Sequence, residues 1–472
     1  MKTTKILFIA AAAVAMTLAS CTKEQTGTTE NGQTSGLRTL TVSFATSPTR
    51  TTLDGLQPKW KADDQIYLAD GTGYEVYTVT TQEEGEDVIK ITTALTGNIT
   101  AVYPSSAAVT EQDGKNVTGV KVGASQDGSF GSANICMATA AAGTNALSFE
   151  NKTAVINVVV PDGTKKLTIT SLKPVGTSGQ RTETAVAIAD GSATTITVGN
   201  GSSNIPNPCY VSILAPETGA VLLQDLNVDV DDKAQGGFSP SAIVAKGKTP
   251  SSYAVEANTI YTLSKESLHE YITVDGKKWA TMNVGATEAN PNGLYFAWGE
   301  TTGHAAATNG DSAFTNAYSG NEDGFSWTNC PLSNHDEDDY HFSKYVPEGY
   351  KTDYGIDGYY DDKDTLDLED DAAFWNWGGA WRMPTQGEFA TFISDASYTS
   401  GNFEYKDVPF PAAGFGDGSV LNGAGGYGDY WSSSLDAGGP RDAFFLSFSD
   451  GDISADYYSY RYSGFSVRPL SE

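Results

Sequence analysis

Thr39-Leu-Thr-Val-Ser-Phe44 alternates polar and apolar side chains without a break. Leu40, Val42 and Phe44 fall on one face of an extended chain and Thr39, Thr41 and Ser43 on the other, which is the pattern of a half-buried strand. The pattern continues downstream. Gln65–Leu68, Ile99–Tyr103, Ala146–Phe149, Ala154–Val160, Leu167–Leu172 and Tyr210–Leu214 are short runs with strand character. Pro161-Asp162-Gly163 marks a turn between two of them. No stretch of 38–264 carries convincing helical periodicity, so this half is expected to be mainly β. Its ~225 residues are long for one sandwich of about 100 residues. It is therefore divided into 38–160 and 161–264.

The composition changes at Ser264–His269. Seven of the eight tryptophans follow that point. Glu270 to Glu472 holds 33 acidic and 10 basic residues, a net of −23 out of −29 for the 472-residue chain. Such acidity excludes nucleic acid as a partner, because phosphate binding needs a basic face. Aromatic residues at 11% exclude global disorder. The last unit, 269–472, reads as α+β with two helices. One runs over Asp367–Trp377, with acidic residues in its first turn and Gly378 to close it. The other follows Pro384 and opens on the capping box Thr385-Gln-Gly-Glu388. Ala443–Phe448 and Phe465–Arg468 are expected strands.

The first twenty residues are a targeting segment. Lys2 and Lys5 precede an apolar run from Ile6 to Met16, too short to span a bilayer. Leu18-Ala19-Ser20-Cys21 resembles a bacterial lipobox, which implies cleavage after residue 20 and lipidation of Cys21. Residues 21–37 read as a flexible tether. Cys136 and Cys209 read as buried strand residues, and with Cys330 they show no metal-site spacing.

Two resemblances follow from ordered motifs. Leu40-Thr-Val-Ser-Phe44, Arg50-Thr-Thr-Leu53, Trp60-Lys-Ala-Asp-Asp-Gln-Ile66, Ala101-Val-Tyr-Pro104 and Leu147-Ser-Phe-Glu-Asn151 resemble fimbrillin-like lipoproteins, the major and minor pilus subunits of the Bacteroidales. That resemblance implies two transthyretin-like β-sandwich domains and polymerisation with other pilus subunits by strand exchange. It also implies proteolytic cleavage after an arginine near the mature N-terminus. Arg38, just before the first strand, matches in position, and Arg50 is the second candidate. Lys278-Trp-Ala-Thr-Met-Asn-Val-Gly285, Tyr295-Phe-Ala-Trp-Gly-Glu300, Leu368-Glu-Asp-Asp-Ala-Ala373, Trp381-Arg-Met-Pro-Thr385, Tyr430-Trp-Ser-Ser-Ser434 and Gly464-Phe-Ser-Val-Arg-Pro469 resemble the Fibrobacter major paralogous domain. That domain is similar to the C-type-lectin-like fold and implies a scaffold for ligand contact rather than a fixed activity.

The chemistry of the C-terminal unit is sparse. Asn334–Asp339 with His341, and Asp361–Asp371, offer oxygen ligands that suit Ca²⁺. Neither has calcium-loop spacing, so solvated acids and helix caps are the favoured reading and no cofactor is expected. One cysteine, Cys330, cannot form the reactive pair of the formylglycine-generating enzymes. There is no nucleophile elbow, zinc motif or phosphate loop, so no enzyme is expected. His304, His335 and His341 are expected to be exposed.

Recognition is the stronger reading. Tyr427, Asp429, Tyr430, Asp436, Arg441, Asp452, Asp456, Tyr457, Tyr458, Tyr460 and Arg461 crowd the segment before the closing strand. Tyrosine supplies contact area at low entropic cost, and short polar residues supply adaptable hydrogen bonds. Alternation over Asp456–Arg461 would point Tyr458 and Tyr460 one way, Tyr457 and Arg461 the other. The expected protein is a lipid-anchored subunit of the outer membrane, surface-exposed or fimbrial. Its role would be that of a tip or accessory adhesin whose head binds a host or bacterial surface glycan or protein. A purely structural pilin or anchor and a glycan-capture lipoprotein are the alternatives.

Overall fold

The computed structural model describes residues 37–45, 59–173, 180–181, 185–214, 221–245, 254–257, 259–306, 314 and 323–472. The targeting segment, Cys21 and Arg50 lie outside the described residues. The chain is mostly β. Among the described residues no helix is long and apolar enough to cross a membrane.

Strand β1 (Arg38–Phe44) is the alternating segment, and Leu40 and Val42 are fully buried. It lies between two neighbours: antiparallel to β2 (Val88–Thr93) and parallel to β3 (Ala146–Asn151). The sheet order is Tyr74–Thr78, Gln65–Ala69, Ile99–Tyr103, Cys136–Ala140, β3, β1, β2. Its inward side chains meet in one cluster around Trp60, Leu40, Ile91, Ile66 and Phe149. Trp60 stacks on Phe44 at 4.4 Å.

A second cluster joins three strands, Cys209–Ile213, Ala154–Val158 and Ile260–Leu263, to an eight-stranded sheet. Ala154–Val158 pairs only within this second unit. The division expected near 161 therefore falls one strand late. The chain passes between units at Asn151–Ala154, where the first sheet ends.

The eight-stranded sheet does not stop at 264–269. It runs through β4 (Leu226–Val230), β5 (Ala234–Gly237), β6 (Leu268–Val274) and β7 (Lys277–Ala280), and ends on Leu470–Ser471. β5 pairs with β6 in the register Gln235↔His269. The apolar clusters still separate, because those beyond the junction draw only on residues from 271 onward. The junction is held by backbone pairing and by buried and half-buried polar contacts. Trp381 Nε1 donates to Gln235 O at 3.1 Å, Lys278 Nζ pairs with Asp229 at 2.7 Å, and Gln235 bonds Ser471. The backbones approach closely: a Cβ on Gly237 would lie 2.5 Å from Gly379 N, and one on Gly378 2.6 Å from Phe238. Only glycine fits there.

Beyond the junction, the longer helices are α1 (Ala372–Trp377) and α2 (Gln386–Phe392), with a single helical turn at Lys351–Tyr354. The helix expected over Asp367–Trp377 is shorter. Leu368–Asp370 forms a 3₁₀ turn, and Asp371 is the N-cap, accepting Ala373 N and Phe374 N at 2.9 and 3.0 Å. The acids expected in its first turn serve other partners. The capping box of α2 is present in both directions. A five-stranded sheet completes the unit: Tyr295–Phe296, β11 (Phe465–Ser466), β8 (Gly428–Leu435), β9 (Asp442–Ser449) and β10 (Asp452–Tyr460).

Candidate functional site

β8, β9 and β10 each present alternate residues to one face of this sheet. On β9, Phe444, Leu446 and Phe448 alternate with Phe445, Ser447 and Ser449, so the second set shares a face. Asp429 of β8 stands opposite Ser447, and Tyr457 of β10 stands opposite Phe445. The β9–β10 register slips between Phe445 and Ser447, where Ser447 meets Ser454. One residue of β9 thus faces two of β10, a bulge that reverses which parity of β10 faces the concavity. Beyond it Tyr457 and Ser459 point in, joined by Tyr460 as the strand ends. The result is a concavity of about 460 Å³, walled by Tyr427, Phe445, Tyr457, Tyr460 and Tyr462 and floored by Asp429 and Ser447.

Its electrostatics are one-sided. Among the described residues, Asp429 and Asp417 are its only acids, and no Lys, Arg or His lines it. Asp429 is 7% exposed. Ser447 Oγ donates to its Oδ1 at 2.7 Å. Burial pushes its carboxyl up to about 6, against the lowering effect of that bond. Tyr457 Oη donates to Asp452 at 2.8 Å, which fixes the ring across the mouth. Burial, then the charge of Asp417, pushes the Tyr462 phenol up to about 12.

The expected site residues divide. Tyr427, Asp429, Tyr457 and Tyr460 come together. Tyr430 does not: its side chain is fully buried among Phe410 and Phe448, and its hydroxyl donates to Pro411 O at 2.5 Å. Arg461 is also fully buried. Its guanidinium lies 4.0 Å from the Phe342 ring centroid and donates to Pro440 O and Lys344 O, so it ties two loops to the core. Tyr458 is 59% exposed but faces away, against Phe444. Asp456 accepts from Gln386 of α2, and Asp436 shapes the Leu435–Gly439 turn through Gly438 N. Arg441 lies at the rim, 5.2 Å from the Tyr460 ring. Phe445, Ser447 and Tyr462 were not among the expected residues. The alternation in Ala443–Ser449 was the available signal for the first two.

Packing places the other residues singled out in the sequence. His304 is buried and bonds Glu300 at 2.7 Å, rather than exposed. Cys136, Cys209 and Cys330 are buried. Asp367, Glu369 and Asp370 converge within 4.8 Å, a spacing a cation would suit. Lys363 already pairs with Asp367, and Lys344 with Glu369 and Asp370. Asp336 caps its own loop through Asp338 N and Asp339 N. Arg38 is the first residue of β1 rather than a residue before it, and its guanidinium holds Gly97 O, Ala141 O and Thr144 O.

No family model matches the chain, and no curated protein does. Among solved structures, similarity is found to a candidate cell adhesion protein of Bacteroides thetaiotaomicron, with 13% identity, 48% of this chain and 91% of the other covered, and a TM-score of 0.24. The tip fimbrial protein Mfa3 of Porphyromonas gingivalis gives 10% identity over 48% and 94%, with a TM-score of 0.24. A fimbrial protein of Bacteroides ovatus gives 11% identity over 88% and 95%, with a TM-score of 0.20.

Proposed function

We propose that this protein is a lipid-anchored, surface-exposed fimbrial subunit of tip or accessory type. It acts as an adhesin through a non-enzymatic, C-type-lectin-like head. The observation that carries the reading is the concave aromatic face of β8–β10, because contiguous tyrosines around a polar floor are the composition of recognition surfaces. The lipobox-like Leu18–Cys21 supports the anchor. The sheet continuous from β4 to β7 supports the arrangement, because it gives the head a fixed mount on the second sandwich.

Strand exchange is supported by the place of β1. It is an interior strand, so its loss leaves β2 and β3 with open edges and uncovers the apolar positions of Leu40 and Val42. A cut after Arg38 leaves β1 nearly whole, since Thr39–Phe44 stays with the body of the protein. A cut after Arg50 would separate all of β1. Arg50 is therefore the better candidate for the cleavage that frees the groove.

The test is adherence of cells displaying the full chain, with Tyr457→Ala/Tyr460→Ala as the comparison. Adherence should fall at least tenfold while surface display is unchanged. Equal adherence of the two would favour the structural-pilin reading.

A further inference from the structure

We propose that the concave face recognises a cationic group, an ammonium or guanidinium presented by a lysine- or arginine-bearing protein segment, with Asp429 as the counter-ion and tyrosine rings as the walls. The inference rests on the reading of this face as the binding site and adds the chemistry of its occupant.

Asp429 is the reason. A carboxylate this deeply buried is costly unless paired with a cation or multiply hydrogen-bonded. Its one hydrogen-bond partner among the described residues is the Ser447 hydroxyl. The groups facing it are no substitute: Asp417 from the strand Phe415–Asp417, Tyr427 ahead of β8, Tyr457 and Tyr460 of β10, and Tyr462 beyond it. Arg441 is turned to the rim, where it pairs with Asp442. The floor therefore carries an acid that the described residues leave without a cation, and the cavity above it has room for one.

The walls fit the same occupant. Aromatic faces attract cations, more strongly where water is excluded. Tyr460 already does so at the rim, with the Arg441 guanidinium 5.2 Å from its ring. The acidity of the surrounding unit, −23 from Glu270 to Glu472, steers cations inward and repels anionic partners.

A polypeptide is favoured over a free amine by the sheet. β10 is nine residues long and is the outer strand of its sheet. An extended segment can add to that edge and present every second side chain to the cavity.

The test is calorimetry on the full chain with four probes. These are a capped peptide alternating Lys and Arg with Val and Thr, the same peptide with Glu replacing each basic residue, spermidine, and maltoheptaose. The basic peptide should bind and the Glu peptide should not. Binding should tighten at least fivefold from pH 5.0 to 7.5 as Asp429 ionises. Asp429→Asn should weaken it at least tenfold, while Asp275→Asn, which removes an exposed acid paired with Lys406 away from the cavity, should retain it. Circular dichroism confirms that each variant is folded. Spermidine binding as tightly as the peptide would overturn the polypeptide source. Maltoheptaose binding that is lost with Tyr457→Ala/Tyr460→Ala but kept with Asp429→Asn would overturn the cationic reading and leave the adhesin reading standing. Failure of every probe at millimolar concentration would also overturn it.

Discussion

Trp381→Phe is the substitution that asks whether the head and the second sandwich are one folding unit. Trp381 is fully buried, packs edge-on against Trp377 at 5.4 Å and donates its indole N–H to Gln235 O across the junction. Phenylalanine removes that donor, and the Gln235 carbonyl, which is also paired in register with His269 across the ladder, loses one hydrogen bond of about 0.5–1.5 kcal/mol. The missing part of the indole adds a cavity; Trp→Ala costs about 3–5 kcal/mol, so half of that, ~2 kcal/mol, is reasonable. The sum is about 2.5–3.5 kcal/mol, and each ~1.4 kcal/mol is tenfold in an equilibrium constant. Hydrogen exchange by mass spectrometry reads the result on separate peptides. Exchange in β4–β5 and in α1–α2 should rise together by roughly a hundredfold, with β1–β3 unchanged. A rise confined to α1–α2, with β4–β5 still protected, would contradict a shared unit. The junction would then be a contact between independent domains.

Three further outcomes are expected. Asp371→Ala strands three backbone N–H groups, of Ala373, Phe374 and Met383, and should cost about 3–6 kcal/mol in chemical denaturation; a loss under about 1 kcal/mol would contradict the clamp. Asp429→Asn should raise stability at pH 7.5 but not at pH 4. The folded carboxyl titrates near 6, above its ordinary value of 3.8, so stability falls as pH rises between those values. Holding a carboxyl about two pH units above its ordinary value costs ~3 kcal/mol once the pH exceeds both values, and an equal effect of the substitution at both pH values would contradict this. Cys21→Ala should abolish membrane retention, and a variant that still partitions into detergent as a lipid-modified protein would remove the anchor from the account.

Local rules carried much of the fold. Thr385 and Glu388 bond each other's backbone as a capping box should, and the alternation of Leu40, Val42 and Phe44 is the burial of β1. Long-range geometry was less legible. The bulge opposite Leu446 depends on pairing between strands, so no sequence window shows that Tyr457 and Ser459 face the concavity, and Tyr460 joins them against strict alternation where the strand ends. Arg461 reads as a surface cation in any sequence window, yet three aromatic rings and two carbonyls take it into the core. His304 is similar, because Glu300 four residues earlier gives it a buried partner. The change in composition at 264–269 is real, but composition cannot show a sheet that crosses it through Gln235 and His269.

On the proposed function, the face formed by β8, β9 and β10 is where this protein meets its partner. An array of host and bacterial glycans and surface proteins, probed in parallel with the full chain and its Tyr457→Ala/Tyr460→Ala variant, tests it most directly. The predicted result is at least one specific signal from the parent chain that the folded variant loses by tenfold or more. A signal that the variant keeps in full would place the binding surface elsewhere on the molecule.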